Sequence, residues 1–347
     1  MLHHNPFLRY MRPGTDHTNP FTGPLADAIQ YDYINCHLVQ ERVNAHGSEI
    51  LPTYECAASY LVDHLQPFLQ ERSVVLDLGS GTGIASRMLA RVHRGKILGV
   101  EQAPAMIEVA QYKFHKSNAS EFENKVKELF GGALPERLEN YWQEVRAETR
   151  SAPIEFIPGD MRNCFLQVSG AYDAAIANHS LHWLRDDWPV FFHNLAAILK
   201  KGAPLVWNTA SDFVDSAKFP SADYSWRYGT FMERVAEKLL QRGFSVNDWN
   251  AIRIPAKTED EVRQIVEDNG FSCAIQEPIL MPKDMRYIIG FYLPLHIAGL
   301  LVKKQEIDTI DKLSREITAE LVRERSDIFA DLEHRFDVNP VFVCLRK

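Results

Sequence analysis

The sequence predicts an α/β fold built on a doubly wound, mostly parallel sheet of seven strands. Between about residues 55 and 210, short apolar segments alternate with amphipathic segments of helical length. Such alternation is typical of parallel strands whose connecting helices cover both faces of the sheet. Two later strand-like segments, SCAIQEPIL and NPVFVCLRK, complete the sheet. With 46% hydrophobic and 24% charged residues, the composition is that of a globular protein with a full core.

The elements of this region follow one another in a regular order. An amphipathic helix over YECAASYLVDHLQPFL precedes the first strand, SVVLDLG, whose continuous apolar run is typical of a strand buried on both faces. The next four predicted strands are KILGVEQ, IEFIPGD, YDAAIANHS and APLVWNTAS. The predicted helices between strands are TGIASRMLARV, PAMIEVAQYKF and WPVFFHNLAAILKKG. In the second of these helices, proline stands near the start, where it is tolerated.

The chain divides into an N-terminal arm and one large domain. Residues 1–50 hold several prolines and glycines and predict an irregular arm, so we expect residues 1–54 to act as an arm or lid. Residues 55–347 form the α/β domain, with helical insertions expected at about 115–151, 212–260 and 282–337 that contribute to the lid. The segment Ile288–Val302 is apolar but shorter than the ~20 residues of a membrane span, so it predicts a buried helix or a pocket wall.

Charge and cysteine content exclude several classes of protein. The net charge of −8 lacks the basic footprint of a nucleic-acid binder. The five cysteines are widely spaced and include no Cys-x-x-Cys pair, so they predict neither a disulfide framework nor a zinc site. We expect reduced cysteines, no metal, no membrane span and a cytoplasmic protein, since the N-terminus has no apolar stretch typical of a signal peptide.

A glycine-rich turn follows the first strand, in VVLDLGSGTG. Glycine lets a ligand approach the backbone, because it has no Cβ and tolerates positive φ. Phosphates are common ligands of such turns, but here Asp77 lies two residues before Gly79 and disfavours an anion. A dinucleotide fingerprint would need a third glycine where Ile84 stands, and no Gly-Lys-Ser/Thr follows to make a phosphate-binding loop.

A zwitterionic ligand explains the glycines and the acid together. The carboxylate of an amino acid can face the backbone N–H groups of the turn, while its ammonium group favours Asp77. If that amino acid is joined to adenosine, a second acid is needed for the ribose hydroxyls. Glu101 ends the second strand, about 20 residues beyond the turn, where nucleotide-binding folds place their ribose-binding acid.

Four motifs now carry a resemblance to a known family. LDLGSGTG, GVEQAPAMIEVA, PGDMRNCF and YDAAIANHSLHWL occur in the order found in class I S-adenosylmethionine-dependent methyltransferases, and the chain resembles that family over about residues 55–210. In NHSLHWL, Asn178 to Leu184, the resemblance is to the small-molecule members of the family. The resemblance implies a Rossmann-like sheet, S-adenosyl-L-methionine as cofactor and S-adenosyl-L-homocysteine as product.

The resemblance also assigns a cofactor site. Its residues are Asp77, Gly79, Ser80, Gly81, Gly83, Glu101, Gln102, Met106, Asp160, Met161 and Asn178. By this resemblance the glycines approach the methionine part of the cofactor and Asp77 supports its amino group. Asn178, at the end of the fourth strand, contributes backbone or side-chain contacts to the same end.

The remaining residues of this set belong to the adenosine end. Glu101 holds the ribose, and Gln102 and Met106 border the adenosine. Asp160 accepts a hydrogen bond from the adenine amino group, with Met161 against the ring. Two alternatives stay open, since Asp160 could instead cap the following helical turn and methionine is a common filler of cores.

The segment NHSLHWL bears on the methyl acceptor. Family members that methylate nucleic-acid bases carry an Asn/Asp-Pro-Pro-aromatic motif here, and this chain has His179 and Ser180 in place of the prolines, which favours a small-molecule acceptor. His179 and His182 lie three residues apart, on one helical face if a turn has begun. Either is a candidate base or a donor to a bound carboxylate, or it forms hydrogen bonds only within the strand–helix junction. Trp183 is a pocket wall or part of the core.

Aromatic segments elsewhere predict the cover of the acceptor. ADYSWRYGTF supplies Tyr224, Trp226 and Arg227, and an arginine among aromatic rings suits a carboxylate on an apolar body, although a packed helix with a surface arginine fits as well. Tyr31 and Tyr33 are expected to join the lid.

The favoured reaction is methyl-ester formation on a carboxylate of a small apolar molecule. The alternatives are O- or N-methylation with a histidine base, or a rearrangement by a fold member that binds the cofactor without transferring its methyl group. No nucleic-acid partner is expected.

Overall fold

The computed structural model describes ten stretches of the chain: residues 25–33, 53–163, 171–209, 213–215, 228–249, 254–283, 293–294, 296–303, 305–324 and 335–347. The predicted acceptor-binding residues Tyr224, Trp226 and Arg227 lie outside these described residues.

A seven-stranded sheet organises the chain. Its strands, and a separate pair, are β1 (Val75–Leu78), β2 (Ile97–Glu101), β3 (Ile154–Pro158), β4 (Ala174–Asn178), β5 (Pro204–Asn208), β6 (Val214–Asp215), β7 (Lys257–Thr258), β8 (Phe271–Lys283) and β9 (Arg335–Arg346). The large sheet has the order β3-β2-β1-β4-β5-β9-β8. Strands β1 to β5 run parallel, and β9 runs antiparallel to both β5 and β8. The predicted α/β class and mostly parallel sheet are therefore confirmed, whereas the two-stranded parallel sheet of β6 and β7 was not predicted.

The helices follow the same chain order. They are α1 (residues 25–33), α2 (Thr53–Leu65), α3 (Ile84–Val92), α4 (Pro104–His115), α5 (Ala119–Phe130), α6 (Glu136–Ala147), α7 (Trp188–Ile198), α8 (Tyr228–Gln241), α9 (Glu259–Asp268) and α10 (Ile307–Glu324). Short 3₁₀ helices cover Gln66–Phe68, Met161–Asn163 and Leu181–Leu184.

The central strands are buried on both faces, which explains their continuous apolar sequences. Every residue of β1 and of β2 is buried. Because side chains alternate between the faces of a sheet, Val75 and Ile97 enter one apolar cluster, and Leu76 and Leu98 enter another on the opposite face. Asp77 is therefore a buried acid in a strand whose two faces are both covered by apolar clusters.

Helix α1 differs from the irregular arm that the prolines and glycines predicted. Residues 25–33 are helical, and Ala26 and Ile29 are buried in the same cluster as Val75. An apolar helical face makes this part of the N-terminal region a component of the core.

Helices α5 and α6 occupy the predicted insertion between β2 and β3. Phe122, Val126 and Phe130 recur every fourth residue on α5 and are buried, so one face of the helix packs inward. A further apolar cluster joins α8, α10 and the helical residues 296–300. In the described part of the segment Ile288–Val302, Leu293 and Ile297 are fully buried. No helix among the described residues is long and apolar enough to cross a membrane.

A buried ion-pair network ties α2, α3 and the end of α6 together. The guanidinium of Arg87 donates to Glu55 and to both carboxylate oxygens of Glu148, the Nε–Oε2 distance being 2.8 Å. We expect Arg87→Leu to lower the free energy of unfolding by about 3–5 kcal/mol, because it leaves the buried Glu55 carboxylate without its cation, whereas Glu148 keeps Arg91. Urea denaturation measures this loss.

A matched control is the exposed pair of Arg94 and Glu71, whose side chains are 72% and 71% exposed. Arg94→Leu should cost about 0–1 kcal/mol, since water screens such a pair. Equal losses in the two variants would contradict the assignment of Arg87 to a structural network.

Candidate active site

The three glycines of the turn after β1 have different surroundings. Gly79, Gly81 and Gly83 adopt φ values of 67°, 54° and 87°, which side chains with a Cβ disfavour. A Cβ on Gly79 would lie 2.5 Å from the Cβ of Ser180, and one on Gly83 would lie 2.7 Å from ring atoms of Phe114 and Phe156. A Cβ on Gly81 would meet no atom within 4 Å. Packing therefore requires the outer glycines, and Gly81 borders the open space through which a ligand can approach.

Asp77 has a buried carboxylate oxygen that can accept a further hydrogen bond. Its Oδ2 accepts hydrogen bonds from the backbone N–H of Ser86 at 2.9 Å and from the Ser86 hydroxyl at 2.6 Å. Its Oδ1 is buried, and no described group donates to it. Burial raises the pKa of Asp77 to about 6; the Ser86 hydrogen bonds oppose this rise and the charge of Glu101 adds to it. A buried acceptor at this position fits an ammonium group of a bound ligand.

Glu101 links the end of β2 to the glycine turn. Its Oε2 accepts from the Gly81 N–H at 2.9 Å, and its Oε1 accepts from the Ala103 N–H at 2.9 Å. Burial raises the pKa of Glu101, and these backbone hydrogen bonds oppose the rise. Each carboxylate oxygen keeps a further lone pair, so Glu101 can still accept from the hydroxyls of a sugar.

The residues predicted for the adenosine end have mixed surroundings. The sulfur of Met161 lies 3.7 Å from the Cβ position of Gly79, so the structure brings Met161 to the glycine turn. Asp160 is paired with Arg162, whose Nε donates to Oδ2 at 2.8 Å, and this pairing lowers the pKa of Asp160 against the opposing effect of its burial. Gln102 is exposed, and Met106 is buried in the apolar cluster. The roles of these four residues toward adenosine stay predictions.

The end of β4 contributes a strained residue beside the glycine turn. His179 has a φ of 53°, an uncommon conformation for a residue with a Cβ, and its N–H donates to Asn208 Oδ1 at 3.0 Å. Asn178 donates from Nδ2 to the Tyr54 carbonyl at 3.1 Å. The hydroxyl of Ser180 donates to the Leu78 carbonyl at 2.7 Å, which connects β4 to the end of β1. Strained backbone of this kind clusters at functional sites.

The two histidines have different neighbours. His182 is buried, its ring is stacked on Phe213 with centroids 4.0 Å apart, and its Nδ1 lies 3.2 Å from the Thr209 hydroxyl. Burial lowers the pKa of His182 well below its ordinary value, and His179 adds to this effect, so His182 is neutral at pH 7. Trp183 lies beside it, with ring centroids 5.0 Å apart. The condition under which the two histidines would share one helical face is not met, because the 3₁₀ helix begins only at Leu181, after His179.

Aromatic rings from α1 and α2 approach His179. The rings of Tyr31 and Tyr54 lie 5.2 Å apart, and those of Tyr54 and His179 lie 5.2 Å apart at an interplanar angle of 87°. Burial, together with the charges of Asp77 and Glu101 among others, raises the pKa of Tyr31 well above its ordinary value. Tyr31 and Tyr33 are both partly buried and pack against the same apolar cluster, and their roles in the lid stay predictions.

Sequence reasoning missed a group of polar residues behind the glycine turn. Asp32 is fully buried and accepts hydrogen bonds from Thr82, Lys113 and Trp142. The available signals were an acid between the tyrosines of QYDY and a lysine on the apolar face of α4. Neither signal identifies its partner, since Asp32 and Lys113 are 81 residues apart.

Comparison with known proteins now settles the family. A family model described as a methyltransferase domain matches residues 53–275, which includes β1 to β5, the glycine turn, Asp77 and Glu101. The chain belongs to this methyltransferase family. With the predicted sheet confirmed, these findings identify a methyltransferase domain whose cofactor is S-adenosylmethionine. The buried Oδ1 of Asp77 and the open space at Gly81 fit that cofactor.

Individual relatives are distant. The ribosomal protein L11 methyltransferase of Thermosipho africanus (strain TCF52B) is 25% identical over 152 residues, which cover 42% of this chain and 55% of that protein. The chain thus spans about half the length of this curated relative.

Two solved structures have similarly low sequence identity to this chain. The YcgJ protein from Bacillus subtilis is 11% identical with a TM-score of 0.47, over 84% of this chain and 98% of its own. The magnesium protoporphyrin IX methyltransferase from Synechocystis PCC 6803, solved with SAH bound, is 14% identical with a TM-score of 0.41, over 96% of this chain and 94% of its own.

Proposed function

We propose that this protein transfers the methyl group of S-adenosylmethionine to a carboxylate oxygen of a small apolar molecule. A carboxylate oxygen attacks the methyl carbon, the carbon–sulfur bond breaks, and its electron pair stays on sulfur, so a methyl ester and S-adenosylhomocysteine are formed. The observation that carries the cofactor half of this proposal is the buried Asp77 oxygen without a described donor, beside the open space at Gly81.

In this proposal the two acids at the strand ends have separate roles. Asp77 binds the ammonium group of the cofactor through Oδ1, while Ser86 holds its other oxygen in place. Glu101 binds the ribose hydroxyls and keeps the Gly81 N–H in position. Both acids accept charge-assisted hydrogen bonds, but only Asp77 faces a ligand group of opposite charge, so we expect Asp77 to contribute the larger share of binding.

The acceptor half of the proposal rests on an aromatic surface and on the chemistry of carboxylates. The row of rings formed by Tyr31, Tyr54 and His179 suits an apolar molecule. A carboxylate is already ionised at neutral pH, so the reaction needs no general base, and positioning the reactants can supply about 7–11 kcal/mol. Arg227 is the proposed carboxylate anchor, on the grounds of its place among the aromatic residues of ADYSWRYGTF.

A second candidate function is methylation of a hydroxyl or amine with His179 as general base. The left-handed backbone of His179 favours it, because strain of this kind is maintained at functional sites. The two candidates predict different pH dependence of kcat at saturating cofactor. With a histidine base, kcat falls below the pKa of that histidine; with a carboxylate acceptor, kcat stays level to lower pH.

The experiment supplies methyl-labelled S-adenosylmethionine and a small-molecule extract of the source cells to the purified protein. The proposal predicts organic-extractable label that mild alkali releases as methanol. Alkali-stable label would instead support the second candidate, and label that precipitates with added cell protein would indicate a protein acceptor. S-adenosylhomocysteine binding without any labelled product would point to a fold member that does not transfer the methyl group.

Arg227 provides a more specific test once the acceptor is known. Arg227→Met should raise the KM for the acceptor about 10–100-fold, because a hydrogen-bonded charge partner is lost. The matched control is Arg234→Met in α8, whose side chain is 59% exposed and pairs with Glu237. An unchanged KM in Arg227→Met would remove Arg227 from the site.

A further inference from the structure

Asp32 is a buried acid that joins four elements of the fold. Its carboxylate accepts from the Thr82 hydroxyl at 2.5 Å, from Lys113 Nζ at 2.8 and 3.1 Å, and from Trp142 Nε1 at 2.8 Å. Asp32 belongs to α1, Lys113 to α4 and Trp142 to α6, while Thr82 lies in the glycine turn between Gly81 and Gly83. Asp32 is therefore a direct polar link between the N-terminal helix and the turn that borders the cofactor.

The pair formed by Asp32 and Lys113 is a poor candidate for a simple stabilising contact. The two side chains are 0% and 1% exposed, and burying an ion costs several kcal/mol that the mutual attraction only offsets. Burial lowers the pKa of Lys113, and Asp32 opposes that shift. The pair instead helps to fix the orientation of the Asp32 carboxylate, because each of its two oxygens accepts hydrogen bonds from donors on different elements.

The fixed Asp32 carboxylate affects two neighbouring parts of the structure, α1 and the glycine turn. On the α1 side, the ring of the neighbouring Tyr31 is placed against the ring of Tyr54, with centroids 5.2 Å apart. On the turn side, the hydroxyl of Thr82 is fully buried and directed to Asp32, away from solvent. A shift of α1 would therefore disturb the aromatic cover and the glycine turn together.

We propose that Asp32 is a positioning residue for cofactor binding: it holds the glycine turn in its receiving conformation through Thr82, and holds α1 beside that turn through Lys113. This inference rests on the proposed cofactor site. Asp32 acts through Thr82 and Tyr31 and is not assigned a contact with the cofactor. Loss of the Thr82 link lowers cofactor affinity without removing any cofactor-contacting group.

The test compares S-adenosylhomocysteine affinities, measured by calorimetry well below each melting temperature. Thr82→Val keeps the shape of the side chain and the ion pair, and should weaken binding about tenfold, because the lost hydrogen bond no longer favours the receiving conformation of the turn over others. Thr82→Ser restores the hydroxyl and should bind within about twofold of the unmodified protein. Asp32→Asn should weaken binding at least as much as Thr82→Val does.

The control is Thr318→Val in α10, the same substitution at a buried threonine whose hydroxyl donates to the Ser314 carbonyl at 2.7 Å. It should leave affinity unchanged whatever it does to the melting temperature. If Asp32→Asn does not fold, the affinities of Thr82→Val, Thr82→Ser and Thr318→Val still test the inference. Equal affinities for Thr82→Val and Thr318→Val would overturn the inference while leaving the cofactor site intact; absence of binding by the unmodified protein would overturn both.

Discussion

Gly81→Ala is expected to lower the affinity for S-adenosylhomocysteine by about 10–100-fold while the protein stays folded. In the protein alone, the added methyl group would meet no atom within 4 Å, so stability should fall only by the ~1–2 kcal/mol that a left-handed conformation costs a residue with a Cβ. That methyl group would occupy the space through which the cofactor approaches, and overpacking of this kind costs about 1–3 kcal/mol. Calorimetry and thermal denaturation measure the two effects separately.

The matched control for this substitution is Gly131→Ala. Gly131 ends α5 with a φ of 64°, against 54° for Gly81, and a Cβ there would also meet nothing within 4 Å. The two variants should lose similar stability, and only Gly81→Ala should lose affinity. A Gly81→Ala protein that binds S-adenosylhomocysteine as tightly as Gly131→Ala would mean that the cofactor does not pass this turn.

Asp77→Asn is expected to weaken binding of S-adenosylhomocysteine by about 10–100-fold at pH 7, because the cofactor's ammonium group loses a charged acceptor worth about 1.5–3 kcal/mol. The amide also places a donor where the carboxylate had only acceptors. The variant should remain folded, since an asparagine oxygen can still accept from Ser86.

Asp77 should also set the pH dependence of the protein. Its pKa is raised from 3.8 to about 6 in the folded protein, so its contribution to stability is full below about pH 4 and is lost as the pH rises through 6. Binding of an ammonium group needs the ionised form, so affinity should fall as the pH is lowered through 6. Both trends should be absent in Asp77→Asn. A persisting decline in affinity below pH 6 in that variant would assign it to another group, with Glu101 as the candidate.

The parts of the fold that followed from sequence are those with local causes. Strand β1 is continuously apolar because both of its faces are covered, and the following glycines mark the turn. The strands β6 and β7 contain two residues each, too few for any periodic pattern. Helix α1 was not predicted because prolines and glycines surround it in the sequence, and the contact between its Asp32 and Lys113, 81 residues away, is shown by no local pattern.

The candidate site also has features that the sequence predicts and features that it does not. Asp77 and Glu101 could be named as candidates because one lies just before the glycine turn and the other ends the second strand, about 20 residues beyond it. The ion pair between Asp160 and Arg162 could not be predicted from the sequence. Arg162 also forms an ion pair with Asp187, which lies just before α7, and no local pattern shows that contact. The orientation of His179 depended on a backbone conformation that its sequence does not specify.

The decisive experiment is a crystal structure of the protein with S-adenosylhomocysteine. We expect density for the ligand at the glycine turn, with its amino group within hydrogen-bonding distance of Asp77 Oδ1 and its ribose hydroxyls on Glu101. Ligand density at another place, or an amino group directed away from Asp77, would contradict the claim that these two acids and the Gly81 opening form the cofactor site.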